Sequence, residues 1–110
     1  MDDAQLVCRA QAGDERAAKL LFELYYLRTF RLALGLLGDE ADAEEVAQDA
    51  LTYALLNIVR YRAELSSFST WLHTITVSRA RDKRRRKLLP SISLAQWLGM
   101  GNQNFLSGKN

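Results

Sequence analysis

Across residues 14–38, apolar side chains return every three to four positions, with a carboxylate at one end and a glycine at the other. Ala18, Leu21, Phe22, Tyr25, Phe30, Leu34 and Leu37 would share one side of a helix built on that spacing. Asp14 is placed to cap its free N–H groups, and Gly38 to close it in a left-handed conformation. At about 1.5 Å per residue such a helix is roughly 35 Å long, enough to be the spine of a small bundle. A rod of that kind must cover its apolar stripe with other elements. The rest of the chain offers helices for this, since no run alternates with the two-residue period of a strand.

Residues 2–12 read as a short first helix, with Asp2 or Asp3 as cap, Leu6, Val7 and Ala10 on one face, and Gly13 at the end. A third helix starts in the acidic run Asp39-Glu40-Ala41-Asp42, where carboxylates favour the positive end of the helix dipole. Its inward stripe is expected to be Val46, Ala50, Tyr53, Ala54 and Ile58. The fourth begins near Ser67 and turns Phe68, Trp71, Leu72 and Ile75 inward; past Ser78 the apolar period stops, so its last turns should project. The expectation is an all-α chain, a compact bundle of about four helices over residues 1–87. Pro90 should break the last helix, and the glycines and asparagines beyond it mark residues 88–110 as a mostly irregular linker or tail, with a short helical piece at 93–98.

Charge divides the chain more sharply than its net of +2 suggests. Residues 1–50 hold eleven acids and five bases, a net of −6, while residues 51–110 hold two acids and ten bases, a net of +8. Two faces of opposite sign, suited to two different partners, follow from that split. One cysteine and one histidine can build neither an internal disulfide nor a zinc site, and no glycine-rich phosphate loop is present. No cofactor, metal or enzymatic activity is therefore expected. With no leader pattern and no apolar run near the roughly 18 residues of a membrane span, the expected location is the cytoplasm.

Two constellations carry the chemistry. Seven of the nine residues at 79–87 are Lys or Arg, and a helix so charged can lie along phosphates, releasing condensed counterions. Before it come Arg60, Tyr61 and Arg62, then Ser66, Ser67, Ser69 and Thr70 around Phe68 and Trp71. Cations for the backbone, hydroxyls for base edges and rings for stacking are the mixture that single-stranded nucleic acid requires. Phe68 and Trp71 also fit the apolar stripe, so a core role stands beside the stacking role. His73, Thr74, Val77 and Ser78 lie between loop and basic run, which continues through Arg81, Arg84 and Arg85. The second constellation is the polar stripe Glu45, Gln48, Asp49 and Thr52 on the third helix, preceded by Asp42. Its acids would repel DNA and suit a protein partner.

The ordered set Leu6-Val7-Cys8-Arg9-Ala10-Gln11-Ala12-Gly13-Asp14, Leu36-Leu37-Gly38-Asp39, Asp42-Ala43-Glu44-Glu45-Val46-Ala47-Gln48-Asp49, Ser67-Phe68-Ser69-Thr70-Trp71-Leu72 and Arg79-Ala80-Arg81-Asp82 resembles region 2 of the extracytoplasmic-function sigma factors. These belong to the sigma-70 family of bacterial transcription initiation factors, and the resemblance spans residues 4–95. It implies that Asp42, Glu45, Gln48, Asp49 and Thr52 face the coiled coil of the largest subunit of core RNA polymerase. It also implies that the loop at 62–69 captures a base flipped from the non-template strand of the −10 promoter element, with the fourth helix beside that element. An anti-sigma factor is a further implied partner. Ser78 stands where the family usually has Asn, and Glu45 and Asp49 exchange the usual Asp and Glu, so promoter preference and contact reach should differ. The family's helix-turn-helix for the −35 element would follow the linker and is not in these 110 residues. Two other readings fit the same residues: a nonspecific nucleic-acid-binding helical protein, and a regulator that binds polymerase without reading DNA.

Overall fold

A computed structural model describes the backbone of residues 2–97 and the side chains of residues 2–88. Four helices follow one another: α1 (Asp3–Gln11), α2 (Glu15–Leu37), α3 (Glu40–Leu56) and α4 (Phe68–Trp97), with a single 3-10 turn at Ile58–Arg60. No strand occurs among the described residues. Each helix starts where a short polar side chain can take up free N–H groups. The Asp2 carboxylate accepts from Gln5, Asp14 from Arg16 and Ala17, and Asp39 from Asp42, while the Ser67 hydroxyl accepts from the Thr70 N–H. The bond from Ala17 holds the Asp14 carboxyl below the usual aspartate range. Gly38, at φ 72°, ends α2 in the conformation that a side chain would strain, and its N–H returns to the Leu34 carbonyl at 2.8 Å.

α2 is the spine, but its buried axis lies beside the stripe expected from the sequence. Ala17, Leu21, Tyr25, Thr29 and Ala33 face the core at strict four-residue spacing, and Ala18, Phe22, Phe30, Leu34 and Leu37 are half-buried flanks. α3 presents Ala43, Val46, Ala47, Ala50, Leu51 and Ala54 to the interior. Tyr53, expected inside, is instead 37% exposed, because the alanine stripe packs closely and leaves the larger ring on the flank. There the Arg79 guanidinium lies 4.7 Å from its ring centre. Phe68 and Leu72 are buried as expected, and Trp71 and Ile75 are half-buried. Thr76, fully buried, donates its hydroxyl to the Leu72 carbonyl at 2.8 Å, which removes the penalty of burying it.

Pro90 does not stop the last helix: α4 runs through it to Trp97 and across the expected boundary at residue 88. A proline costs a helix one N–H and about 3 kcal/mol, which long helices absorb at a kink. Residues 98–110, and with them the end of the expected tail, lie outside the described residues.

Candidate functional site

The outer face of α3 is polar and open. Glu45, Gln48, Asp49 and Thr52 are exposed and Asp42 is half-buried, because the opposite side of the same helix is fixed inward by its alanines. Two of the acids already have partners on α4. Lys83 Nζ lies 3.0 Å from Glu45 Oε1 and 3.8 Å from Asp42 Oδ1, and Lys87 Nζ lies 2.5 Å from Asp42 Oδ2. The bond from Lys87 holds the Asp42 carboxyl below its ordinary range, and the same bond raises Lys87. Among the described residues Asp49 has no ion-pair partner.

This tether has a defined pH window. A depressed carboxyl adds stability above its unfolded value, and a raised ammonium adds stability below its own. The pair is therefore at full strength between the ordinary values of 3.8 and 10.5. It weakens as pH falls through the depressed value of Asp42 or climbs through the raised value of Lys87. Between about pH 5 and about pH 3, Asp42→Asn is expected to lose less melting temperature than the parent. Equal losses in the two melts would rule the tether out as a pH-sensitive contact.

The basic run of α4 separates into two faces. Arg79, Lys83 and Lys87, four residues apart, point to Tyr53, Glu45 and Asp42 of α3. Arg81, Arg84, Arg85 and Arg86 are exposed. Arg81 and Arg85 border a surface groove of about 560 Å3 with His73, Thr74, Val77, Ser78 and Asp82. Six residues singled out from sequence thus meet in one groove: His73, Thr74, Val77, Ser78, Arg81 and Arg85. Arg84 is exposed but does not line it. Arg85 is paired with Asp82 at 2.6 Å, and the Thr74 hydroxyl donates to the Thr70 carbonyl at 3.1 Å, leaving its oxygen able to accept.

The loop between the 3-10 turn and α4 brings a correction. Tyr61, expected to contact DNA, is in the core at 8% exposure. Its ring packs edge-on against Phe68 at 5.7 Å and beside Trp71 at 5.4 Å, and its hydroxyl donates to the Ser66 carbonyl at 2.7 Å. Burial raises that hydroxyl above its ordinary range. A ring so enclosed cannot stack on a base; it holds the loop. Arg60, Arg62, Ser67 and Thr70 are exposed, and Ser66 and Ser69 are half-buried. Arg62 pairs with Glu64 at 3.0 Å, an exposed pair worth little to stability.

Beside this loop is a second groove, of about 360 Å3, between Val7, Cys8 and Gln11 of α1 and Ala63, Ser67, Phe68 and Ser69. Tyr25 closes part of it; burial, then its bond to Asp3, push its hydroxyl up to about 12. Sequence reasoning missed the α1 wall, whose residues are near the loop only through the fold. The lysine tether had a signal: bases four apart on α4 and acids three apart on α3 are complementary stripes.

No group of three or more His, Cys, Asp or Glu among the described residues is placed to hold a metal ion, and none of their helices is long and apolar enough to cross a membrane. Residues 21–88 match the family described as Sigma-70 region 2. The chain is 36% identical over 80 residues to the RNA polymerase sigma-H factor of Pseudomonas aeruginosa, covering 73% of this chain and 41% of that protein. It is 30% identical over 79 residues to the ECF RNA polymerase sigma factor SigW of Bacillus subtilis, covering 72% of this chain and 42% of the relative. With the ECF RNA polymerase sigma factor SigM of Mycobacterium tuberculosis it shares 33% identity over 84 residues, 76% of this chain and 42% of the relative. The matches thus span about two fifths of the length of these relatives. No solved structure gives a significant match. With well over half of its length matched to region 2, the chain belongs to the extracytoplasmic-function sigma factors of the sigma-70 family.

Proposed function

We propose that this domain is a non-catalytic specificity element of transcription initiation that joins core RNA polymerase to the −10 promoter element. The observation that carries the reading is the segregation of two exposed faces. The outer side of α3 offers Glu45, Gln48, Asp49 and Thr52, and the outer side of α4 offers the groove bordered by Arg81 and Arg85. An acidic-amide face fits a protein, here the coiled coil of the largest polymerase subunit, and would repel DNA. A groove with arginines at its rim and His73, Thr74 and Ser78 on its wall fits a nucleic-acid strand, phosphates fixing position and side chains giving preference. The loop at 62–69 is the natural place for an unstacked base, since the groove beside it has apolar walls and a few hydroxyls. In this reading the protein works in the cytoplasm, and an anti-sigma factor would act by covering one or both faces.

The test is the pair Gln48→Ala with Asp49→Ala. Both side chains are exposed, so helical content should be unchanged. Affinity for core polymerase should fall about tenfold or more, as expected for central interface positions. Undiminished core affinity would remove α3 from the interface and leave a nonspecific nucleic-acid binder. Sequence-independent or absent binding to single-stranded −10 oligonucleotides would instead favour a regulator that occupies polymerase without reading DNA.

A further inference from the structure

Gln11, at the end of α1, is far in sequence from the loop at 62–67 and yet holds its entry. Its Nε2 donates to the Ile58 carbonyl at 3.0 Å and to the Tyr61 carbonyl at 2.9 Å. A carboxamide nitrogen has two hydrogens, so both are used, and one side chain bridges the two ends of the 3-10 turn. The exit of the loop is fixed separately, by the Tyr61 hydroxyl on the Ser66 carbonyl at 2.7 Å and by the Ser67 cap of α4. Between these two pins Arg62, Ala63, Glu64 and Leu65 are exposed. Gln11 also lines the groove whose far wall is Ala63, Ser67, Phe68 and Ser69. It therefore sets both the position of the loop and the width of the space beside it.

From this we infer that Gln11 is a positioning residue for base capture, and that the capturing pocket is completed by α1. The inference rests on the reading of the loop at 62–69 as the segment that takes an unstacked base. A base needs flat apolar walls at a fixed separation and polar groups at its edge. Val7 of α1 and Ala63 of the loop line this gap, Ser67 and Ser69 at the start of α4 supply the polar groups, and the two Gln11 bonds hold the spacing. Without those bonds the loop entry keeps the Tyr61 N–H bond to the Ile58 carbonyl and the Tyr61 ring packing, and loses its hydrogen-bonded tie to α1. The gap would then vary, and the entropy of ordering it would be charged against each captured base.

The experiment scans an abasic site along a single-stranded −10 oligonucleotide and measures binding to the whole chain over a salt series. The parent should show one position where base removal weakens binding about tenfold or more. Gln11→Met keeps the length of the side chain and removes both donors; it should bring that ratio close to one while leaving the salt slope, set by phosphate contacts, unchanged. Gln11→Glu, which turns an acceptor toward two carbonyls, should do the same and serves if the first variant folds poorly. Asp2→Ala is the control for general loosening of α1, because it deletes the cap bond from the Gln5 N–H and Asp2 does not line the groove; its ratio should stay at the parent value. A Gln11→Met chain that keeps the full ratio would overturn the inference, as would an Asp2→Ala chain that loses it equally. A parent with no sensitive position would overturn base capture itself, a result distinct from either.

Discussion

Changing Arg81, Arg84 and Arg85 together to glutamate is expected to lower affinity for −10 DNA on the order of a hundredfold at moderate salt and to flatten its salt dependence. All three are exposed, and two of them rim the groove with His73, Thr74 and Ser78. Each phosphate neutralised contributes about 0.7 to 0.9 to the slope of log affinity against log salt, so three lost contacts should reduce it by roughly two. Changing Lys83 and Lys87 to glutamine is the contrasting variant. Those ammonium groups lie on Glu45 and Asp42, so the slope of the free domain should hardly move. Affinity for core polymerase should rise modestly in that variant, since two competitors for the acidic face are gone. Equal slope losses in both variants would mean that the run at 79–87 acts as one undivided cloud of charge, and the two-faced description of α4 would be wrong.

That division shows where sequence was sufficient and where it was not. Helix starts were legible because capping is local: Asp2, Asp14, Asp39 and Ser67 each reach an N–H two or three residues ahead. The exposed polar stripe of α3 was legible for a similar reason, since residues three and four apart share a face whatever surrounds them. The buried side of the same helix was less so. Alanine carries little hydropathy, and its value here is that it lets helices approach, a property of the partner surface as much as of the residue. Tyr53 and Tyr61 show the same limit from opposite sides. Each is an amphipathic ring, yet one lies on the flank under Arg79 and the other is enclosed by Phe68 and Trp71. Pro90 misled because its local preference is strong, and α4 overrides it. The groove beside the loop joins α1 to residues some fifty positions later, as the span from Gln11 to Tyr61 (|i−j| = 50) illustrates, and no spacing within either segment announces it.

The alanine seam yields the second large effect. Ala50→Leu is expected to destabilise the domain by about 1–3 kcal/mol, and more if the backbone cannot shift. For a domain of this size that corresponds to a fall in melting temperature on the order of 10 °C. Ala43, Ala47, Ala50 and Ala54 are all fully buried, so α3 has no free volume on its inner side for a longer side chain. Thr52→Leu makes a change of similar kind two residues away on the outer face, where the side chain is exposed, and should shift stability by less than about 0.5 kcal/mol. The two variants should separate cleanly in paired measurements of thermal unfolding and core binding. Ala50→Leu should lose stability first and core affinity only through a displaced helix, whereas Thr52→Leu should alter core affinity with the melt intact. If instead Ala50→Leu melts like the parent, the close approach of α2 and α3 is looser than described. The orientation of Glu45, Gln48 and Asp49 on the outer face would then have lost its structural cause.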